Sequence, residues 1–235
     1  MSLLTDKQYT ILGSINRFGV ITISQLSNFL NGEISHVTVY NTKKKLLDMG
    51  FITEDKVGYD GVLSIRPSGV DYLGSDLTKF TKINYSLLNH NLLCNDAILT
   101  SIYLATKGNF DFSFLTEREL RSNFIKNNFT LEQKKDTKLI KLIPDRIPDF
   151  VCYIGDECIA YEVELNQKSK RRYQDKFKRY YDECLNGDYQ KVRYLCSNNT
   201  IKEAVESNAK AVHLPHEYLQ VELLRRFLKI GNPKK

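Results

Sequence analysis

The chain has 235 residues, 42% of them hydrophobic and 26% charged, the ordinary balance of a soluble globular protein. Its net charge of +6 permits a nucleic-acid partner, and Lys, Asp, Asn or Ser interrupts every apolar stretch short of the roughly 18 residues that read as a membrane span. Five cysteines without a C-x-x-C pair exclude a disulfide frame and a zinc ribbon, and MSLLTDKQYT lacks the basic flank and apolar stretch of a secretory signal, so the expected location is the cytoplasm without membrane insertion.

Residues 1–75 carry seven basic and seven acidic side chains. Thr5 is placed to cap a helix in which Tyr9, Ile11, Leu12 and Ile15 recur at helical spacing before Gly19. Residues 22–30 predict a short second helix. Ser35 caps a third, Val37 to Met49, with Val39, Leu46 and Leu47 available to face inward and Gly50 closing it. Phe51-Ile-Thr and Val62-Leu-Ser-Ile predict strands around a turn at Tyr59-Asp-Gly61. Three helices and a hairpin resemble a winged helix-turn-helix, in which the third helix enters the major groove. Its outward positions are then His36, Thr38, Tyr40, Asn41, Lys43, Lys44 and Lys45. The lysines suit phosphates, and Tyr40 and Asn41 suit base edges. The alternative is that the lysines form only the solvated face of a helix.

A linker is expected at Gly74–Lys82, which divides a first domain, 1–75, from a second, 76–235. An apolar helix follows from about Ile83 to Lys107, with His90, Asn95 and Asp96 on or beside its buried stripe; His90 reads as a hydrogen-bonded core residue. Phe110–Leu115 predicts a strand, and Thr116-Glu-Arg-Glu a helix opened by a capping box. The lysine-rich stretch 126–141 predicts a mobile loop. Further on, Lys191–Cys196 reads as a buried strand, Thr200–Asn208 as a helix, Ala211-Val-His-Leu as a last strand and Tyr218–Ile230 as an amphipathic helix.

The segment Arg146-Ile-Pro-Asp149 … Glu162-Val-Glu164 carries the chemistry. Two apolar strands join through a Gly155-Asp156 turn into a hairpin. Asp149 starts the first strand. Glu162 and Glu164 end the second and, two apart, share one sheet face. Antiparallel pairing sets residue 149 opposite about 162, so three carboxylates converge. Such a cluster is electrostatically costly unless a cation neutralises it, and oxygen-only ligands suit Mg2+, with Mn2+ as substitute. The alternative is that Glu162 or Glu164 is ion-paired to the helix that follows. That helix opens in Lys168-Ser-Lys170-Arg171-Arg172 and runs to Arg179, holding seven basic residues against one acid.

Pro148-Asp149, a hairpin, Glu162-x-Glu164 and a basic helix resemble the PD-(D/E)xK restriction-endonuclease-like fold, over about residues 84–215. The usual lysine position holds Glu164, which leaves Lys168 or Lys176 of the next segment as the catalytic lysine. Adding the winged helix, Leu88-x-His90-x-Leu-x-x-Asn95-Asp96, Thr116-Glu-Arg-Glu-Leu-Arg and Lys176-x-x-x-Tyr180, the chain resembles the replication-relaxation family, which includes the MobC/TraX-type (MOBC) plasmid relaxases. The resemblance implies an α/β (α+β) chain in which an N-terminal winged helix precedes a nuclease-like domain. It also implies a Mg2+-dependent endonuclease that nicks one strand of double-stranded plasmid DNA at the transfer origin to start conjugation, alongside a coupling ATPase or accessory mobilisation proteins. Asp149, Glu162 and Glu164 match the family's metal-binding acids and Lys176 its helix lysine, while Lys170, Arg171 and Arg172 guide the phosphate backbone. Whether Tyr173 or Tyr180 attacks DNA covalently stays open.

Other site types lack their residues. His213-x-x-His216 reads as a turn beside Pro215, and neither a G-x-x-x-x-G-K-[ST] loop nor a G-x-S-x-G elbow is present. A second reading keeps the fold and removes the chemistry: a plasmid DNA-binding regulator with a degenerate nuclease half.

Overall fold

The computed structural model describes residues 3–57, 60–79, 83–141 and 143–231. Tyr59 of the expected turn and residues 80–82 of the expected linker lie outside the described residues. The chain is a mixed α/β structure with two sheets, and it divides into two compact units, Met1–Leu99 and Thr100–Lys235.

In the first unit, α1 (Asp6–Phe18) begins where Gln8 reaches back to the Thr5 N–H at 3.1 Å. It ends at Gly19, whose φ of 75° suits a residue without Cβ. Thr22 closes the three-residue strand β1 (Val20–Thr22) and caps α2 (Ile23–Phe29) through a reciprocal capping box with Gln25. Ser35 caps α3 (His36–Asp48). Strands β2 (Ile52–Val57) and β3 (Asp60–Ile65) pair antiparallel, and β1 adds to the free side of β3, giving the order β1-β3-β2. β1 is too short to show a period and was not expected from sequence. Ile11, Leu12, Ile15, Leu26, Val39, Leu46 and Leu63 are fully buried beneath this frame. After α4 (Pro67–Tyr72), with proline in its first turn, α5 (Tyr85–Lys107) contributes its first turns to the same unit. Asn95 donates to the Val20 carbonyl at 2.8 Å. Gln25 donates to the Leu92 carbonyl and to Asp96 Oδ1, both at 2.8 Å. His90 is half-buried, with Nδ1 3.7 Å from Cys94 Sγ.

The second unit holds β4 (Phe112–Thr116), α6 (Glu117–Asn128), α7 (Thr137–Lys141), β5 (Phe150–Ile154), β6 (Glu157–Glu164), α8 (Lys170–Leu185), β7 (Lys191–Cys196), α9 (Asn199–Ala211), β8 (Leu219–Leu223) and α10 (Leu224–Gly231). Its sheet has the order β4-β5-β6-β7-β8, antiparallel from β4 to β6 and parallel from β6 to β8. α8 and α9 pack on one face through Tyr173, Phe177, Tyr180, Ile201 and Val205, against Ala160, Val192, Tyr194 and Cys196 of the strands. On the other face Tyr161 stacks on Phe150 at 4.5 Å and meets Phe227 of α10 at 6.3 Å.

Three expectations are corrected here. Residues 126–141 are not a loop throughout. α6 continues to Asn128, Thr130 and Gln133 cap each other reciprocally around a 3-10 turn, and Asp136 Oδ1 accepts the Lys138 N–H at 2.8 Å to start α7. Local side-chain caps order a segment that apolar content alone assigns to a loop. Residues 211–214 are no strand, because α9 runs to Ala211 and His213 then turns with φ 56°. The last strand is instead Leu219–Leu223, in the stretch expected as the start of a helix. Leu219, Val221 and Leu223 alternate with Gln220 and Glu222, and parallel pairing with β7 selects that period over the helical one.

Asn95 is 5% exposed, so its bond to Val20 is shielded from water. Asn95→Ala is expected to cost about 1–3 kcal/mol, measured as a fall in the urea midpoint of unfolding. An unchanged midpoint would show that this bond does not hold α5 in place.

Candidate functional site

Strand β6 alternates. Ile159, Tyr161 and Val163 face α10, whereas Ala160, Glu162 and Glu164 face the side covered by α8. Period two thus puts two glutamates into a helix–sheet interface, where they are only 1% and 4% exposed. Burial of a carboxylate is tolerated when it is paired and hydrogen-bonded, and α8 supplies the partners. Tyr173, Phe177, Tyr180 and Cys184 form its buried stripe, and Lys176 lies three residues from Tyr173 and four from Tyr180, on that stripe's edge. Lys176 Nζ donates to Glu162 Oε2 at 2.6 Å, and the Tyr180 hydroxyl donates to Oε1. Lys168, in the turn before α8, sets Nζ 2.8 Å from Glu164 Oε2. Asp149 enters from β5. Its N–H donates to the Tyr161 carbonyl at 3.0 Å, and its Oδ2 accepts the Val163 N–H at 2.7 Å, between the two glutamates.

The electrostatics follow from burial and neighbours. Burial pushes the Glu164 carboxyl above its ordinary range, against the pull of Lys168. Burial alone would lower Lys168, but the charges of Glu162, Glu164 and Asp149 outweigh it and hold the ammonium above its usual value. The three carboxylates face Lys168 and Lys176, and the Arg179 guanidinium also feels the charge of Glu162. Tyr194, opposite Glu162 in the β6–β7 register, is fully buried. Burial and then the charges of Glu162 and Glu164 keep its phenol protonated, yet the hydroxyl has no hydrogen-bond partner among the described residues.

Elsewhere on α8 the basic run is largely matched from within. Arg171 lies 3.7 Å from Asp175, Arg172 2.6 Å from Asp145, and Arg179 3.3 Å from Glu183 while also donating to the Asp145 carbonyl. Arg172 and the neighbouring lysines hold the Asp145 carboxyl below its usual range despite partial burial. Lys170, Arg171 and Arg172 are exposed. In the first unit, Tyr40, Asn41 and Lys44 of α3 are exposed, and Lys45 is half-buried and donates to Gln8 at 2.9 Å. Lys43 corrects an expectation: it points inward, only 8% exposed, and pairs with Glu54 of β2 at 2.7 Å. Five consecutive polar residues cannot all face water on a helix that packs on one side, and a lysine with a carboxylate in reach tolerates the inward place.

No family model matches this chain, and no curated protein matches it. Among solved structures it is similar to a hypothetical protein from Pyrobaculum spherical virus, at 14% identity over 64% of this chain and 97% of that one, with a TM-score of 0.24.

Sequence reasoning missed Tyr194 and the Asp145 turn. Tyr194 meets Glu162 only through parallel pairing of strands 32 residues apart. Asp145 meets Arg172 across 27 residues. Neither separation leaves a local signature.

Lys176→Met leaves Glu162 buried without its counter-charge and is expected to cost about 3–5 kcal/mol. Glu162→Gln added to Lys176→Met removes the stranded charge and should recover most of that loss. Urea unfolding of the wild type, the single variant and the double variant measures both. A double variant as unstable as the single one would show that the ion pair does not set the cost.

Proposed function

We propose that the second unit is a divalent-metal-dependent nuclease domain that nicks one strand of DNA, and that the first is a winged helix-turn-helix that binds the duplex. The observation that carries the reading is the buried group Asp149, Glu162, Glu164, Lys168 and Lys176 at the C-terminal end of β6, the end of a parallel strand where open α/β sheets place ligands. The β5–β6 hairpin followed by parallel strands and crossing helices supports a restriction-endonuclease-like core. In the relaxase form of this reading the target is a plasmid transfer origin, the partners are a coupling ATPase and accessory mobilisation proteins, and the compartment is the cytoplasm.

The donor set fits a hard cation: the ligands are carboxylate oxygens, and the buried Tyr194 hydroxyl beside them has no hydrogen-bond partner among the described residues. Asp149, Glu162 and Glu164 would hold Mg2+ or Mn2+, and Lys176 and Tyr180 orient the Glu162 carboxylate. Bound there, the ion supplies Lewis acidity to the phosphate and lowers the pKa of a water. Of the two lysines, Lys168 is the more exposed, 23% against 10%, so it is the better placed to reach a phosphate, while Lys176 positions Glu162. Tyr173 and Tyr180 are at most 1% exposed, which disfavours covalent attack by either and favours water as nucleophile.

A second reading has its own observation. Lys168 and Lys176 already neutralise two of the acids without any metal, as expected of a DNA-binding protein whose nuclease half is degenerate. Supercoiled plasmid carrying the cognate origin, incubated with Mg2+, separates the two. The enzyme reading expects relaxed open circles, lost in Glu164→Gln, and a rise in melting temperature with Mn2+ that Glu164→Gln abolishes. Intact supercoils together with identical Mn2+ responses would support the degenerate form.

The two lysines of α3 should differ. Lys44→Ala is expected to weaken duplex binding nearly uniformly across sequences and to flatten the log–log salt dependence by about one unit. Lys43→Ala should leave that slope alone and lower stability, because Glu54 loses its partner. Equal slopes for wild type and Lys44→Ala would remove α3 from the DNA interface.

A further inference from the structure

The start of α6 has no part in the cluster just described, yet it lies at the same end of the sheet. Thr116 pairs with Phe150, and Phe150 with Tyr161, so the chain leaves β4 for α6 beside the point where Asp149 enters β5 and Glu162 follows Tyr161. α6 also packs against the 3-10 turn Ile143–Asp145, whose Asp145 is bridged to α8 by Arg172. Arg118 and Arg121 stand three residues apart in the first turns of α6, hence on one helix face.

Both arginines are half-buried. Arg121 Nε is shielded from water and has no acceptor among the described residues, an arrangement that costs free energy in a charged donor. Burial, and then the charge of Arg121, bring Arg118 down to about 10. Two guanidinium groups thus repel each other in a partly dry place. The cap does not need them, because Thr116 and Glu119 close it between themselves: the Thr116 N–H donates to Glu119 Oε2 at 2.8 Å and the Glu119 N–H to Thr116 Oγ1 at 3.3 Å. A cationic pair with a spare buried donor is suited to an anion with several acceptor oxygens, and the planar fork of arginine matches phosphate.

We propose that Arg118 and Arg121 form a phosphate clamp, which takes a backbone phosphodiester of the nucleic acid next to the one presented to Asp149, Glu162 and Glu164. The proposal rests on reading that cluster as a phosphodiester-cleaving site. The clamp holds the strand in register, and the arginines are positioning residues that do no chemistry themselves. An anion between them would offset the repulsion that Arg121 exerts on Arg118.

The test uses the full chain in EDTA, with a short labelled single-stranded oligonucleotide and, separately, inorganic phosphate as probes. Arg121→Gln and Arg118→Gln should each bind the oligonucleotide about tenfold or more weakly, the scale of a lost charge-assisted hydrogen bond, whereas Lys170→Gln loses less. Phosphate should raise the melting temperature of wild type more than that of either arginine variant. Without any probe, Arg121→Gln should melt at or above the wild type, because a shielded donor without an acceptor and a like charge beside Arg118 are gone; this readout also shows that the variant folds. Oligonucleotide affinity equal to wild type in both arginine variants overturns the clamp. A Mn2+ response in the same proteins separates the two ideas: its presence with unchanged oligonucleotide affinity leaves the metal cluster standing and the clamp refuted. A lost oligonucleotide affinity without any Mn2+ response in wild type supports the clamp as an anion site and refutes the metal. A response to free phosphate alone, without an effect on the oligonucleotide, also overturns the proposal.

Discussion

The second unit depends on two glutamates that the pleat of β6 forces into its interior. Once Glu162 and Glu164 face the helix side of the sheet, a bare apolar helix cannot cover them, because each buried carboxylate needs a cation and hydrogen-bond donors. α8 covers them in one register only, the one in which Lys176 and Tyr180 reach the two oxygens of Glu162 and Lys168 reaches Glu164. A slip along the helix would strand charge in the core. The aromatic stripe Tyr173, Phe177 and Tyr180 contributes most of the apolar burial at that contact, and the ion pairs select its alignment.

The same constraint organises the surroundings. Arg172 and Arg179 of α8 both engage Asp145, by side chain and by carbonyl, and so fix the turn that leads into Asp149. The basic run that looked like a phosphate-guiding stripe is therefore mainly a scaffold, and its outward field is weaker than seven charges suggest. Lys170 and Lys178 remain as exposed charge outside these pairs among the described residues. In the first unit a comparable division separates Lys43, which is bound to Glu54, from Lys44, which faces water. Net charge counts all of these residues alike, but only unpaired, exposed groups attract a polyanion at long range.

Much of the fold was legible because local rules operate locally. Capping residues Thr5, Thr22, Ser35 and Thr116 mark helix starts within a residue or two, and Gly19 and Gly50 mark stops. The Gly155-Asp156 turn between two apolar runs identified the β5–β6 hairpin, whose register then put Asp149 near Glu162. The misassigned last strand has a tertiary cause. Leu219–Leu223 fits a helix and a strand equally well, and β7 decides between them. Asn95 and Asp96, polar residues on an apolar helix, bond to groups near β1 and α2, contacts that no local period announces.

The sequence by itself determined the types and spacings: a Pro-Asp strand start, two glutamates two apart, a capped basic helix and a neutral helical N-terminal segment. These follow from periods of 2 and 3.6 and from side-chain caps, all settled within a few residues of the chain. Only the tertiary structure decided which lysine meets which glutamate, that Tyr194 stands opposite Glu162, that Lys43 turns inward and that Arg118 and Arg121 lie at the acid end of the sheet. Those outcomes depend on strand order and on burial, which bring together groups tens of residues apart and change the cost of each charge by removing water from around it.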